Sequence, residues 1–281
     1  RLWLECDAAA ALSLLLEGEA RLQLLFDAVQ GDADLAFASA AGRLLADIGA
    51  GSAAGGDAFS KHWLGTWSAR GNGGEVGSLR MLEVAVRVLR RGLASGSDAL
   101  LTLVFDYLLD QVDHEGDVLV ALNVAHLFGA LVEPPSPVDI GPARVARIAA
   151  AAHPADAAAE PLAEIRSELL RALAHVARGP TAAVDCAGLD LLAMVERELA
   201  ADDAGAREAA LYLWSAVAAA GGSDLARITT SAGGEAAVHI LRSSASPRAS
   251  PAKRAFAYAL IADVLTAGGG DDAQRGAIYA M

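Results

Sequence analysis

One pattern recurs along the chain and limits the folds open to it. An alanine- and leucine-rich segment runs up to a glycine, and then the pattern begins again. Arg207–Gly222 reads REAALYLWSAVAAAGG and Arg254–Gly269 reads RAFAYALIADVLTAGG, an offset of 47 residues. Further copies are Glu164–Gly179, Asp117–Ala130, the more degenerate Leu79–Gly96, and Asp34–Gly51. Their end markers Gly51, Gly96, Ala130, Gly179, Gly221 and Gly268 are 34 to 49 residues apart. A second element precedes the copies. Leu22–Asp27 (LQLLFD) and Leu101–Asp106 (LTLVFD) are 79 residues apart, and Gly188–Asp203 and Gly233–Ser243 are 45 apart. Such a period marks a chain of supersecondary units, none of which buries its apolar face alone.

The units read as helices. Alanine makes up close to a quarter of the 281 residues and aromatics only 5%. Alanine is the best helix former, and its small side chain lets neighbouring helices approach closely. Leu101, Val104, Leu108 and Val112 share one helical face, while Asp106, Asp110, Asp113 and Asp117 share another. The terminal glycines suit left-handed helix C-caps, and Asp34, Asp98, Ser223 and Asp271 suit N-caps. The expectation is an all-α chain, a right-handed α-solenoid of about five to six repeats. It is read as a single solenoid over 1–281 with a bend or hinge at 133–142, the proline cluster Glu133–Pro142. Most of the excess acid lies before that cluster.

The run Ala187–Gly222 resembles an armadillo repeat: glycine, apolar helix, charged loop, Arg-x-Ala-Ala helix, glycine. HEAT repeats are the near relative. The order of segments is also similar to the C-terminal part of the 26S proteasome non-ATPase regulatory subunit 5 family. That likeness is carried by Val104–Gly129, Arg207–Ala220 and Ser246–Leu260. It implies a non-enzymatic, armadillo-like chaperone that helps assemble the regulatory-particle base by binding a proteasomal ATPase subunit. It carries over no contact residues, because no distinctive motif fixes them. The alternative is a generic armadillo-type adaptor in trafficking, ciliary or ubiquitin pathways. Armadillo proteins that capture extended peptides, such as importin-alpha and the catenins, resemble one another in an asparagine ladder. The matching stretches here carry Ala216, His175 and Asp263, so peptide capture of the nuclear-import type is not implied.

Composition narrows the function classes. A net charge of −13 argues against a surface that tracks phosphates, hence against nucleic acid and anionic membranes as primary partners. The longest apolar candidate for a membrane span, Ala209–Ala220, is too short. Ala8–Leu16 is flanked by Glu5, Asp7, Glu17 and Glu19, the wrong chemistry for a signal peptide. Cys6 and Cys186 lie in no metal or disulfide spacing, which suits a reducing compartment, the cytoplasm with the nucleus as an alternative. The first residue is Arg1 rather than Met, as in a fragment.

No catalytic, cofactor-binding or metal-ligating set is expected, and a helical enzyme is the least favoured class. Asp113–Asp117 does not fit a calcium loop, since Leu122 stands where the bidentate Glu belongs. Gly49–Gly56 follows a helix and lacks a Walker lysine, so it reads as an inter-repeat linker rather than a phosphate loop. The six histidines read as packing residues. Candidate protein-binding residues are the basic stripe Arg80, Arg87 and Arg91, the acidic stripe with Asp106 and Asp110, and the pair Trp63 and Trp67. The two stripes are also candidates to pair with each other. The tryptophans read either as a core staple, which is favoured, or as a binding hot spot. The inner-face elements Leu101–Val112, Leu189–Leu199 and Glu235–Leu241 are the expected binding surface. Ser246-Pro247 and Ser250-Pro251 are candidate phosphorylation sites before a helix that opens with Lys253 and Arg254; the alternative is a plain loop that ends one helix and starts the next.

Overall fold

The computed structural model describes residues 19–30, 35–51, 53–70, 75–91, 97–112, 118–134, 138–154, 161–219 and 234–266. Among them every regular element is an α-helix. The chain divides into two compact units. One is Arg1–Leu131 with Pro135–Val138, and the other is Val132–Pro134 with Asp139–Met281.

The first unit holds α1 (Glu19–Gln30), α2 (Leu35–Gly51), α3 (Ala53–Arg70), α4 (Glu75–Arg90), α5 (Ser97–Val112) and most of α6 (Val118–Val132). α2 is gripped by α1, α3 and α4, and α3 and α4 both meet α5. The α5 face expected from the sequence is the buried one, with Leu101, Val104, Leu108 and Val112 all inside. Phe105 of α5 meets Phe128 of α6 edge to face at 5.3 Å. The opposite side of α5 is wetter, with Asp106 half-buried and Asp110 exposed.

The second unit holds α7 (Gly141–Ala152), α8 (Ala163–Ala177), the single turn α9 (Ala182–Asp185), α10 (Leu191–Ala200), α11 (Ala204–Ala219), α12 (Gly234–Ala245) and α13 (Pro251–Thr266). The alanine-rich helices α8, α11 and α13 stack on one another, and α10 stacks on α12. α11 is central. Ala206, Ala209, Ala210, Leu213 and Ala216 have no exposed surface, and Trp214 is 2% exposed. A helix apolar on nearly every side is stable only when helices cover it all round, and α8, α10, α12 and α13 do so here. Contacts between these helices join residues 37 to 44 positions apart in the sequence. Asp47 meets Arg91 in the first unit. In the second, Arg178 bonds Ser215, His175 lies edge to face on Tyr212, and Tyr212 stacks on Phe256.

Helix ends correct part of the sequence reading. Asp190 caps α10 by accepting the Ala193 N–H at 3.0 Å, and Asp203 caps α11 by accepting that of Ala206 at 2.6 Å. Asp98 lies inside the first turn of α5 rather than at its cap. Asp34, Ser223 and Asp271 lie outside the described residues. Gly179 closes α8 without left-handed backbone; the described glycines with positive φ are Gly141 (73°) and Gly188 (80°), which precede or open helices.

The larger correction concerns Gly49–Gly56. α2 runs through Gly51 and α3 begins at Ala53, so most of this stretch is helix and not linker. A Cβ on Gly49 would lie 2.8 Å from a Val88 methyl and 3.2 Å from the Phe59 ring. About two turns earlier, a Cβ on Gly42 would lie 3.2 Å from Val84. Glycine is there because α3 and α4 both press against α2. Gly49→Leu is therefore expected to lose about 1–3 kcal/mol through overpacking, despite leucine's better helix propensity. Thermal melting followed by circular dichroism would show it as an earlier transition; an unchanged melt would mean that α2 can move away from its neighbours freely.

One polar cluster is built into the second unit. Arg166 of α8 donates from Nε to Glu198 Oε2 of α10 at 3.0 Å, and from Nη1 to the Pro161 carbonyl at 3.3 Å. His153, at the end of α7, places Nε2 at 3.5 Å from Glu198 Oε1. The Glu198 side chain is 1% exposed and that of Arg166 10%. The cluster thus joins side chains from α8, α10 and the end of α7.

Candidate functional site

The stripe of small residues along α2 leaves room beside it. Phe37, Ala40, Ala41 and Leu44 line one wall of a groove whose volume is about 800 Å3, with Leu25 of α1 at its side. The far rim is basic: Arg87 comes from the last turn of α4, Arg91 from the turn just after it, and Arg43 from α2 itself. They converge because α2 and α4 pack against each other, so both border the same depression. The volume falls within the range of about 300–1,000 Å3 usual for pockets that hold a ligand or an anchoring side chain. Phe37 is 59% exposed at the groove, and Leu24 on neighbouring α1 is 69% exposed. Such apolar area costs free energy in water and gains by being covered.

The charges are arranged unevenly. Arg91 Nη1 donates to Asp47 Oδ1 at 2.9 Å, and Arg87 pairs with Glu83 one turn earlier on its own helix. Both pairs are about half exposed, so each adds little to stability. Arg43 is exposed and has no ionic partner among the described residues. In a chain of net charge −13, a groove lined by three guanidiniums and one carboxylate, Asp47, is a local reversal of sign.

The structure therefore brings Arg87 and Arg91 together with Arg43, a residue the sequence reading missed. Arg80 lies half-buried on the same helix and does not line the groove. Arg87 and Arg91 take Glu83 and Asp47 as partners, where the sequence suggested the acidic stripe. Asp106 and Asp110 sit on α5, away from the groove, and Asp113 and Asp117 lie outside the described residues. Trp63 is 1% exposed, so it is a core residue and offers no contact surface to a partner. The Trp67 side chain lies outside what the structure describes. None of the groove's lining residues comes from α5, α10 or α12, the elements favoured from sequence as the binding face.

Ser246 and Ser250 both lie in the turn before α13. The Ser250 hydroxyl accepts the Lys253 N–H at 3.3 Å, an N-cap, and Ser246 accepts the Arg248 N–H at 3.3 Å. Arg254 folds back to donate to the carbonyls of Pro247 and Ala249. These bonds give the serines a structural task, with Pro251 opening the helix as expected of a first-turn proline.

Other chemistry has little support in the described residues. Glu198 is buried, and Arg166 and His153 are mostly covered, with side chains 10% and 8% exposed. Burial, and secondarily the neighbouring Asp185 carboxylate, push the Cys186 thiol up, which disfavours the reactive thiolate. No cluster of three His, Cys, Asp or Glu side chains among the described residues is placed to hold a metal ion. No described helix is long and apolar enough to cross a membrane.

No protein-family model matches the chain, and no curated protein sequence matches it. Among solved structures, two crystal structures of engineered proteins from the Northeast Structural Genomics Consortium are similar to it. One is 17% identical with a TM-score of 0.48, over 88% of this chain and 97% of that one. The other is 18% identical with a TM-score of 0.46, over 97% of this chain and 64% of that one. A likeness at this level says nothing of what the chain binds or does.

Proposed function

We propose that the chain is a non-enzymatic scaffold for protein–protein interaction, built in each unit from armadillo/HEAT-like repeats stacked with the right-handed sense of an α-solenoid. The observation that carries the reading is the groove beside α2: apolar wall, exposed Phe37, and a rim of Arg43, Arg87 and Arg91. Stacked helical hairpins supply rigid, extended surface at low sequence cost, and binding grooves between repeat helices are the use to which such architectures are put. Within this class, the segment order shared with the 26S proteasome non-ATPase regulatory subunit 5 family favours a chaperone of regulatory-particle base assembly. Its partner is then a proteasomal ATPase subunit, met in the cytoplasm or nucleus. A generic armadillo adaptor is the second reading, favoured by the period and helix order alone.

Affinity purification of the whole chain from its source, followed by mass spectrometry, tests both. Enrichment of proteasomal ATPase subunits without core-particle subunits is the expected result for the chaperone. Enrichment of coat, tubulin or ligase components would replace it with the adaptor. Recovery of no protein at stoichiometric yield would sink the scaffold reading itself.

A further inference from the structure

We infer that the groove between α2 and α4 docks an acidic segment of a partner protein, in which one large apolar side chain is flanked by carboxylates. The inference rests on the scaffold reading and adds the chemistry of what is held. The groove has two surfaces with separate preferences. Ala40, Ala41 and Leu44 form an apolar wall without a hydrogen-bonding side chain, and Phe37 stands exposed at its edge. That wall suits a leucine, phenylalanine or tryptophan, not a polar group. The volume of about 800 Å3 exceeds one side chain, so neighbouring residues of the segment enter with the anchor.

The rim fixes the sign of those neighbours. Arg43 has no ionic partner among the described residues, and the Arg87–Glu83 pair is exposed and easily exchanged. Guanidiniums present a planar fork that matches a carboxylate, so Arg43 and Arg87 select Asp or Glu on either side of the anchor. Arg91 is already held by Asp47 and braces the rim instead. The negative charge elsewhere on the chain is screened beyond about 8–10 Å at physiological salt, so a carboxylate in the groove is governed by the nearby arginines. The same overall charge disfavours long polyanions, which would have to cross the acidic surface as well. A short acidic segment with an apolar anchor is what remains compatible with both.

The test is a peptide-phage selection against the whole immobilised chain, with the enriched peptides resynthesised and measured by fluorescence polarisation. The expected result is a shared pattern of Asp or Glu beside a large apolar residue. R43E/R87E is expected to weaken binding at least tenfold with an unchanged thermal melt, and F37S to weaken it as well. A peptide with its acids changed to lysine should regain binding to R43E/R87E. Enrichment of peptides without acids, no enrichment at all, or equal binding by R43E/R87E would overturn the inference. So would displacement of the peptide by acetate or inorganic phosphate at matched concentration, which marks a simple anion site. The two readings fail differently. Partners captured equally by the parent chain and R43E/R87E sink the groove and leave the scaffold, whereas peptides that bind with no cellular partner captured sink the scaffold and leave the groove.

Discussion

Glu198→Ala is expected to remove about 3–5 kcal/mol from the unfolding free energy of the second unit, although it deletes a polar side chain. Alanine would leave the Arg166 guanidinium 10% exposed and without the carboxylate that now sits 3.0 Å from its Nε. The Pro161 carbonyl at 3.3 Å is a neutral acceptor and cannot replace the lost charge. The cost is that of breaking a buried ion pair from one side, which exceeds what the pair contributes when intact. Removing both partners should therefore be far milder: Arg166→Met with Glu198→Leu is expected near neutral, or stabilising, because apolar groups of similar volume need no desolvation. Glu198→Gln should fall between, since its amide oxygen still accepts from Nε. Urea unfolding of the whole chain, followed by far-ultraviolet circular dichroism, reads all three. Equal losses in the single and double variants would mean that Glu198 acts through packing, and would discard the charge argument.

This cluster shows where a sequence reading stops. α8 and α10 were each legible, as the segments Glu164–Gly179 and Gly188–Asp203, because alanine content and apolar periodicity announce a helix from local information. Arg166 and Glu198 lie inside those segments and look like any exposed charged residue of a helix. What buries them is tertiary: α8 and α10 both pack against α11, their side chains meet across that packing beside His153 at the end of α7, and α7 itself carries no copy of the repeat. The groove has the same history. Arg87 and Arg91 stood out as a basic stripe on one helix. Arg43, a single arginine in Asp34–Gly51, gained meaning only because α2 stacks against α4. Positions about one period apart meet across this packing, as Asp47 and Arg91 do.

The glycines were read in one sense and serve in two. A glycine next to an alanine-rich run suggests a stop, and Gly51 does end α2. Gly42 and Gly49 lie within the same helix and mark close approach instead. Glycine's missing Cβ permits either role, and a single sequence does not say whether backbone freedom or space is being used. That ambiguity hides the first turns of α3, which, with Gly55 and Gly56, resemble a linker by composition while both glycines are buried in the packed unit.

α3 also carries the residue whose loss should most disturb the first unit. Trp63→Ala is expected to cost about 3–5 kcal/mol, the range for emptying a fully buried tryptophan site. Trp63 is 1% exposed, and one turn away Phe59 is fully buried, with its ring 5.5 Å from that of Phe26 on α1. The His62 ring lies 4.7 Å from Phe26 as well, so α1 and α3 meet through aromatic groups in a chain that has few. Phe59 in turn touches the position of Gly49, which links the aromatic contact to the seat of α2 and hence to the wall of the groove. A cavity at Trp63 should therefore lower the melting temperature and loosen groove binding together, whereas R43E/R87E should affect binding alone. Trp63→Phe, which keeps most of the volume, is expected to lose far less than alanine. The reading fails if Trp63→Ala melts as the parent does while partner capture is lost, because that is the behaviour of a surface contact and not of a core residue.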